Sequence, residues 1–361
     1  MPTDFKLEKI RIRIDEIDEQ LISLISERAS LATEVTQIKR DSGKDGSFYR
    51  PEREAKILRR IIGLNKGPLS EQDITRLFRE IMSSCLALEQ QLNIVYLGPE
   101  GTFTQTAALK HFGHSVNTFA KSTIGEVFRE VESRTCQYGL VPIENSIGGM
   151  VNHTHDMLTI SNLKICGEVK LRVHQNLMSK ADNTGNLNKI YSHQQSLEQC
   201  RTWLDEHLVS PERISVYSNA EAAKLAVEDP NGAVIAGESA AEFYQLNILE
   251  RNIEDIPNNT TRFLVIGNED VPASDNDKTS LIFTTANKPG ALHKMLACFS
   301  EYQVSLMRIE SRPSREVIWD YIFFVDIEGH IEDDAVAKAL KQLRQQASMV
   351  KILGSYPSAV L

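Results

Sequence analysis

The sequence predicts a multidomain protein with three folds in series: an all-α unit, a larger α/β unit and a smaller α+β unit. Three observations point there. The 361 residues exceed what one domain of about 150 residues holds. Apolar residues at helical spacing fill the chain up to Leu92 and then stop. From Asn93, short apolar runs closed by Gly or Pro alternate with helical stretches, and after a polar stretch the order becomes β-α-β-β-α-β.

In the first unit, residues 1–92, Leu7, Ile10, Ile14, Ile17, Leu21, Leu24, Leu31, Val35 and Ile38 keep alternating three- and four-residue steps, predicting one helix over 5–40. Such a helix is about 50 Å long. A unit of this size cannot cover it, so the spacing predicts packing against a partner chain and a homodimer or higher homo-oligomer. Helices follow over 51–64 and 70–92, split by the breaker stretch GLNKGPL. The second unit, 93–270, reads as strands NIVYLG, YGLVPI, NKIYSH, RISVYS, GAVIAG and TRFLVIG, with helices over 104–112, 196–207 and 219–227. A polar linker over 270–278 leads to the third unit, 279–361, whose strand and helix order is ferredoxin-like.

Composition narrows the function. Forty Lys and Arg against 49 Asp and Glu give a net charge of -9, which leaves no global basic surface for nucleic acid or anionic lipid. Five scattered cysteines, odd in number and without a CxxC pair, suggest neither a zinc nor a redox site and fit a reducing cytoplasm. No apolar run reaches the roughly 20 residues of a membrane span.

The apolar seam of the first helix has one exception. A step of four from Leu24 lands on Arg28, a permanent cation that needs an anion if buried. Lys39 follows eleven residues later, only about 20° around the helix from Arg28. Arg11 is about 100° away and cannot share that face, but could reach a partner's site in an antiparallel dimer.

These residues, with YRPERE and RLFREIMSSCLALEQQ, resemble the helical chorismate mutase family over about 5–92. The resemblance implies that Arg28, and Arg11 from the other subunit, hold the substrate carboxylates. It implies Lys39 and Glu89 at the ether oxygen of the breaking bond, and Glu54 at the ring hydroxyl, placed by Arg53. A pericyclic rearrangement needs a compact substrate conformer and stabilisation of a developing oxyanion, which this inventory supplies. Three positions depart from the family's commonest pattern: Cys85 stands for a serine, Arg50 for an aspartate, and Glu89 for a glutamine. Glu89 must then be protonated to donate.

The second unit carries YLGPEGTFTQTAA, VPIENSIGGMV, SHQQSLEQC and NNTTRF, four motifs that resemble the prephenate dehydratase family over about 93–270. The resemblance implies two α/β lobes with a cleft, like the periplasmic binding proteins. It places an essential threonine at Thr261, with Thr260 as its alternative, to assist the departing hydroxide. Arg262 is implied for a carboxylate, and Glu144, Asn145, Ser146, His193, Gln195 and Thr104 for the cleft. In the third unit, NKPGAL and RIESRP resemble phenylalanine-responsive ACT domains, implying that Gly290, Ala291, Leu292, Glu310, Ser311 and Arg312 meet phenylalanine at a dimer interface. Together the three resemblances imply an enzyme converting chorismate to prephenate and prephenate to phenylpyruvate under feedback by phenylalanine. Neither reaction needs an electron sink or redox carrier, so no metal or organic cofactor is expected. A non-catalytic amino-acid sensor is the competing class, and a dehydratase with a degenerate helical unit the nearer rival. The set Arg11, Arg28, Lys39 and Glu54 argues against the latter.

Overall fold

The computed structural model describes residues 2–41, 49–286, 288–313 and 321–360. Met1, Asn287 at the head of NKPGAL, Asp320 and Leu361 lie outside the described residues. The first unit is three helices, α1 (Pro2–Asp41), α2 (Pro51–Leu64) and α3 (Glu71–Glu89). Pro51 opens α2, where its missing N–H costs nothing, and Ser70 caps α3 by accepting from Asp73 N. At 1.5 Å per residue the 40-residue α1 is about 60 Å long. Its apolar residues Leu7, Ile10, Ile14, Ile17, Leu21, Leu24 and Leu31 are all exposed within this chain.

The second unit is two-lobed. Its first lobe begins with β1 (Asn93–Leu97), α4 (Phe103–Phe112), β2 (Asn117–Lys121), α5 (Ile124–Glu132), β3 (Tyr138–Asn145), β4 (Gly149–Met150), α6 (Asn152–Ile160) and β5 (Lys164–Arg172). The second lobe comprises β6 (Asn176–Ser179), β7 (Lys189–His193), α7 (Gln194–Gln199), α8 (Arg201–His207), β8 (Glu212–Val216), α9 (Asn219–Glu228), β9 (Gly232–Ala236), α10 (Glu238–Tyr244) and β10 (Asn247–Glu250). The chain then returns to the first lobe as β11 (Thr260–Gly267). The sheets run β2-β1-β3-β11-β5, with β4 on β3, and β10-β6-β9-β7-β8. Because β11 lies antiparallel between β3 and β5, two strand crossings join the lobes and leave a cleft between them.

One helix differs from the sequence reading. The stretch over 196–207 is two helices, broken at Cys200, because Asp255 accepts from the backbone N–H groups of Thr202 and Trp203 while its own N–H donates to Gln199 O. A residue about fifty positions away thus caps the second helix.

The third unit is β12 (Asp277–Thr285), α11 (Ala291–Glu301), β13 (Leu306–Pro313), β14 (Tyr321–Glu328), α12 (Asp334–Gln346) and β15 (Met349–Pro357), an antiparallel sheet of order β13-β14-β12-β15 backed by two helices. The polar stretch before it is no free tether. Ser274 is fully buried and its carbonyl accepts from Arg59 of α2. Strand β15 lies so close to β5 that a Cβ at Gly354 would stand 2.3 Å from Ile165 O, so only glycine fits. An apolar cluster runs unbroken from Val127, Phe128 and Ile266 of the first lobe to Ile282, Phe324 and Leu353 of the third unit.

Through that apolar contact runs an ionic one. Buried Glu168 on β5 accepts from Lys278 Nζ at 2.5 Å and Arg262 Nε at 2.8 Å. Arg262 also donates to Asp326 at 2.6 Å and to the Tyr356 hydroxyl at 3.0 Å. Burial pushes the Glu168 and Asp326 carboxyls up, but their cations outweigh it and hold both below ordinary values. Their contribution is therefore present above the ordinary carboxylate range and is lost only as pH falls through the lower folded-state values. Among the described residues no helix is long and apolar enough to cross a membrane.

Replacing Glu168 with Gln should leave two buried cations without their carboxylate and lower unfolding stability by about 3–5 kcal/mol. Urea denaturation checks this, and a loss below about 1 kcal/mol would show that the network is not a structural weld.

Candidate functional site

Helices α1, α2 and α3 wall a cavity of about 620 Å³. Arg28 and Lys39 reach it from one face of α1, together with Leu31, Ala32 and Val35 at the helical spacing between them. The first turn of α2 brings Arg50, Glu52, Arg53 and Glu54, because Pro51 starts the helix at this point. Cys85 and Glu89, one turn apart on α3, complete the wall. Seven residues chosen from sequence, Arg28, Lys39, Arg50, Arg53, Glu54, Cys85 and Glu89, thus border one space. Arg11 does not. It is exposed on α1, seventeen residues from Arg28 and so about 25 Å along the axis.

Charge in this cavity is arranged in pairs. Arg50 Nε donates to Glu52 Oε1 at 2.6 Å, so Arg50 is already partly neutralised. The second oxygen of buried Glu52 has no hydrogen-bond partner among the described residues. Burial pushes the Glu54 carboxyl up to about 7, against the pull of Arg79, whose Nε lies 3.6 Å from Glu54 Oε1. Glu52, Tyr49 and Arg79 were not singled out in the sequence, although Tyr49 and Glu52 sit inside YRPERE and Arg79 inside RLFREIMSSCLALEQQ.

In the two-lobed unit, strand alternation sorts the predicted residues. Thr261 pairs in register with Asn145, and Arg262 with Glu144. Asn145 Nδ2 donates to Thr261 Oγ1 at 2.9 Å and to Asn259 Oδ1 at 2.7 Å, while its Oδ1 accepts from the N–H groups of Ile147 and Gly148. Thr261 Oγ1 is thereby an acceptor on one side, leaving its own proton for another partner. Gln195 of the second lobe comes close to this turn: a Cβ at Gly148 would stand 2.6 Å from Nε2, the free-swinging end of that side chain. His193 Nδ1 accepts from Gln195 N, capping α7. Thr104 is buried on α4.

Two expectations need correction. Arg262 is not directed at a ligand: Glu168, Asp326 and Tyr356 occupy its guanidinium, on the strand face opposite Thr261. Glu144 likewise faces the third unit, 3.4 Å from Arg308. Ser146 spends its hydroxyl as an acceptor for Thr260 N, clasping the strand ends. Asn259, within NNTTRF but not singled out there, is fully buried beside Asn145, and its Nδ2 has no hydrogen-bond partner among the described residues.

In the third unit the ladder aligns Thr285, Tyr321 and Pro313 across three strands. The turn that holds Gly290 and the segment Glu310–Ser311–Arg312 therefore lie at one end of the sheet. Gly290 has φ +78 with open space around it, and Ala291 and Leu292 begin α11. Ser311 is exposed, and Glu310 lies 3.6 Å from Arg308. Arg312 donates to Asn152 O at 3.1 Å and pairs with Asp156 at 3.0 Å, both on the first lobe, so in this chain it is an interdomain contact.

A cationic helical pocket, a two-lobed cleft with a threonine held by an asparagine, and a ferredoxin-like unit together define a multidomain enzyme with a regulatory domain. The match to family models agrees in order: chorismate mutase type II over residues 10–90, prephenate dehydratase over 94–271 and ACT domain over 279–345. The chain is 52% identical to a bifunctional chorismate mutase/prephenate dehydratase of Pseudomonas aeruginosa over 99% of both chains, and 32% identical to that of Escherichia coli K12 over 99% and 98%. Its fold is similar to a solved prephenate dehydratase from Arthrobacter aurescens in complex with L-Phe, with TM-score 0.68 and 31% identity over 74% of this chain and 90% of that one. The chain belongs to the bifunctional chorismate mutase/prephenate dehydratase family.

Glu54 protonates as pH falls through about 7 and then accepts a hydrogen bond less well. The KM for chorismate should therefore rise between about pH 8 and about pH 6, and Glu54→Gln should flatten that rise. Steady-state kinetics across this range check it; parallel profiles would remove Glu54 from the substrate contacts.

Proposed function

We propose that the chain rearranges chorismate to prephenate in the helical cavity and converts prephenate to phenylpyruvate, with loss of water and carbon dioxide, in the cleft. Phenylalanine acts through the third unit. The observation that carries the first activity is the convergence of Arg28, Lys39, Glu54 and Glu89, far apart in sequence, on one cavity. In this reading Arg28 holds a carboxylate, Lys39 and a protonated Glu89 bond the ether oxygen as charge grows on it, and Glu54, placed by Arg53, accepts the ring hydroxyl. Arg50 and Cys85 border the substrate, with Arg50 tied to Glu52.

A second carboxylate contact comes from Arg11 of a partner subunit. The exposed apolar stripe of α1 supports a homodimer in which the two long helices pack together and exchange their amino-terminal halves. In the cleft, Thr261 donates to the leaving hydroxide, held for that role by Asn145, with Gln195 closing from the opposite lobe. Arg262 and Glu144 are left out of this site because their side chains serve the interface. Gly290, Ala291, Leu292, Glu310 and Ser311 form the phenylalanine site between third units, and Arg312 reports its occupancy to α6. We assign the units to 1–92, 93–270 and 279–361. A cytoplasmic location is supported by the five thiols, each buried and unbridged.

Arg11→Ala and Arg28→Ala should each abolish mutase turnover while sparing dehydratase turnover on supplied prephenate. Mixing and reassembling the two variants should recover about a quarter of wild-type mutase activity, since half the dimers are mixed and each mixed dimer has one intact site. Mixed dimers with no recovered activity would show that Arg11 does not cross.

Thr261→Ala should stop phenylpyruvate formation and let prephenate accumulate from chorismate, with a loss on the order of 100-fold or more. Thr260→Ala is the matched control, followed by product chromatography. A more damaging control would transfer the role to Thr260.

A further inference from the structure

Glu54 borders two spaces. One is the mutase cavity; the other is a small gap where all three units meet, walled by Arg79 of α3, Lys110 and His111 of α4, Glu168 of β5 and the terminal segment after β15. The gap places buried Arg79 between Glu54 and the chain's far end: its Nε lies 3.6 Å from Glu54 Oε1, and its Nη2 donates to Val360 O at 3.3 Å. Other cations at this junction are engaged or discharged. Lys110 donates to the Lys170 carbonyl at 2.9 Å, and the His111 ring, bonded to the Tyr49 hydroxyl, is kept neutral by burial.

We propose that Arg79 is a positioning residue for the mutase reaction, holding Glu54 against the mutase cavity while the carboxy-terminal segment of the third unit holds Arg79. This rests on the reading that Glu54 accepts the substrate's ring hydroxyl. The planar guanidinium suits the task, since it meets a carboxylate with one edge and a carbonyl with another, which an ammonium cannot do in the same geometry. The ring hydroxyl takes no part in the bond rearrangement, so a displaced Glu54 weakens ground state and transition state alike and appears in KM rather than kcat.

The test compares the full-length protein with Arg79→Gln, Arg79→Lys, Glu54→Gln and the double variant Arg79→Gln/Glu54→Gln, measuring mutase KM and kcat and dehydratase turnover on supplied prephenate. Arg79→Gln should raise the KM for chorismate on the order of tenfold with kcat within about twofold and dehydratase turnover unchanged. Arg79→Lys should recover part of the loss, and the double variant should be no worse than Glu54→Gln alone. An unchanged KM in Arg79→Gln, or additive losses in the double variant, would overturn the proposal even with a raised KM in Glu54→Gln. An unchanged KM in Glu54→Gln would instead overturn the underlying role of Glu54, and the proposal with it. Should Arg79→Gln lose dehydratase turnover too, the KM of Arg79→Lys decides: raised supports positioning, unchanged overturns it.

Discussion

The carboxylate of Glu168 is the constraint on which the rest of this molecule depends. It accepts from Arg262 of its own lobe, from Lys278 at the entry to the third unit and from Ala359 N at the far end of the chain. A buried charge cannot stand without such partners, and three of them from separate segments fix those segments relative to one another. The consequences spread outward. Arg262 is pinned to the interface, which turns Thr261 to the other face of β11; the terminal segment is pinned beside α3, where Arg79 finds its carbonyl.

What sequence could and could not disclose follows from the range of the forces involved. Helix α1 was legible because helical periodicity is local: Arg28 and Lys39 fall on one face by spacing alone, whereas Cys85 and Glu89 were implied only by the family resemblance. The order of the ferredoxin-like unit was legible for the same reason. The break at Cys200 was not, since its cause is Asp255 from another loop. Adjacent positions of a strand point to opposite faces, so Thr261 and Arg262, both assigned to the substrate from the sequence, could not both line the cleft, and the pattern does not say which way the cleft lies. That depends on where the third unit docks, a matter of long-range packing between Ile282, Phe324, Leu353 and the first lobe.

The same alternation explains how a regulatory sheet can touch a catalytic one. Edge strand β13 sets Arg308 against Glu144 and Arg312 against Asp156. Glu144 is the neighbour of Asn145, which holds Thr261. A shift of β13 is therefore felt one residue from the asparagine that orients the threonine. Any effector that prefers one position of that strand acquires leverage over the cleft in proportion to that preference.

Helix α1 adds a different kind of dependence. Its stripe of leucines and isoleucines is exposed along the half that carries Arg11, which lies outside the mutase cavity, whereas Thr261, Asn145 and Gln195 come together within one chain. In the proposed homodimer, assembly of the first site therefore scales with the abundance of the protein itself, and assembly of the second does not; on that reading dilution silences the first reaction before the second.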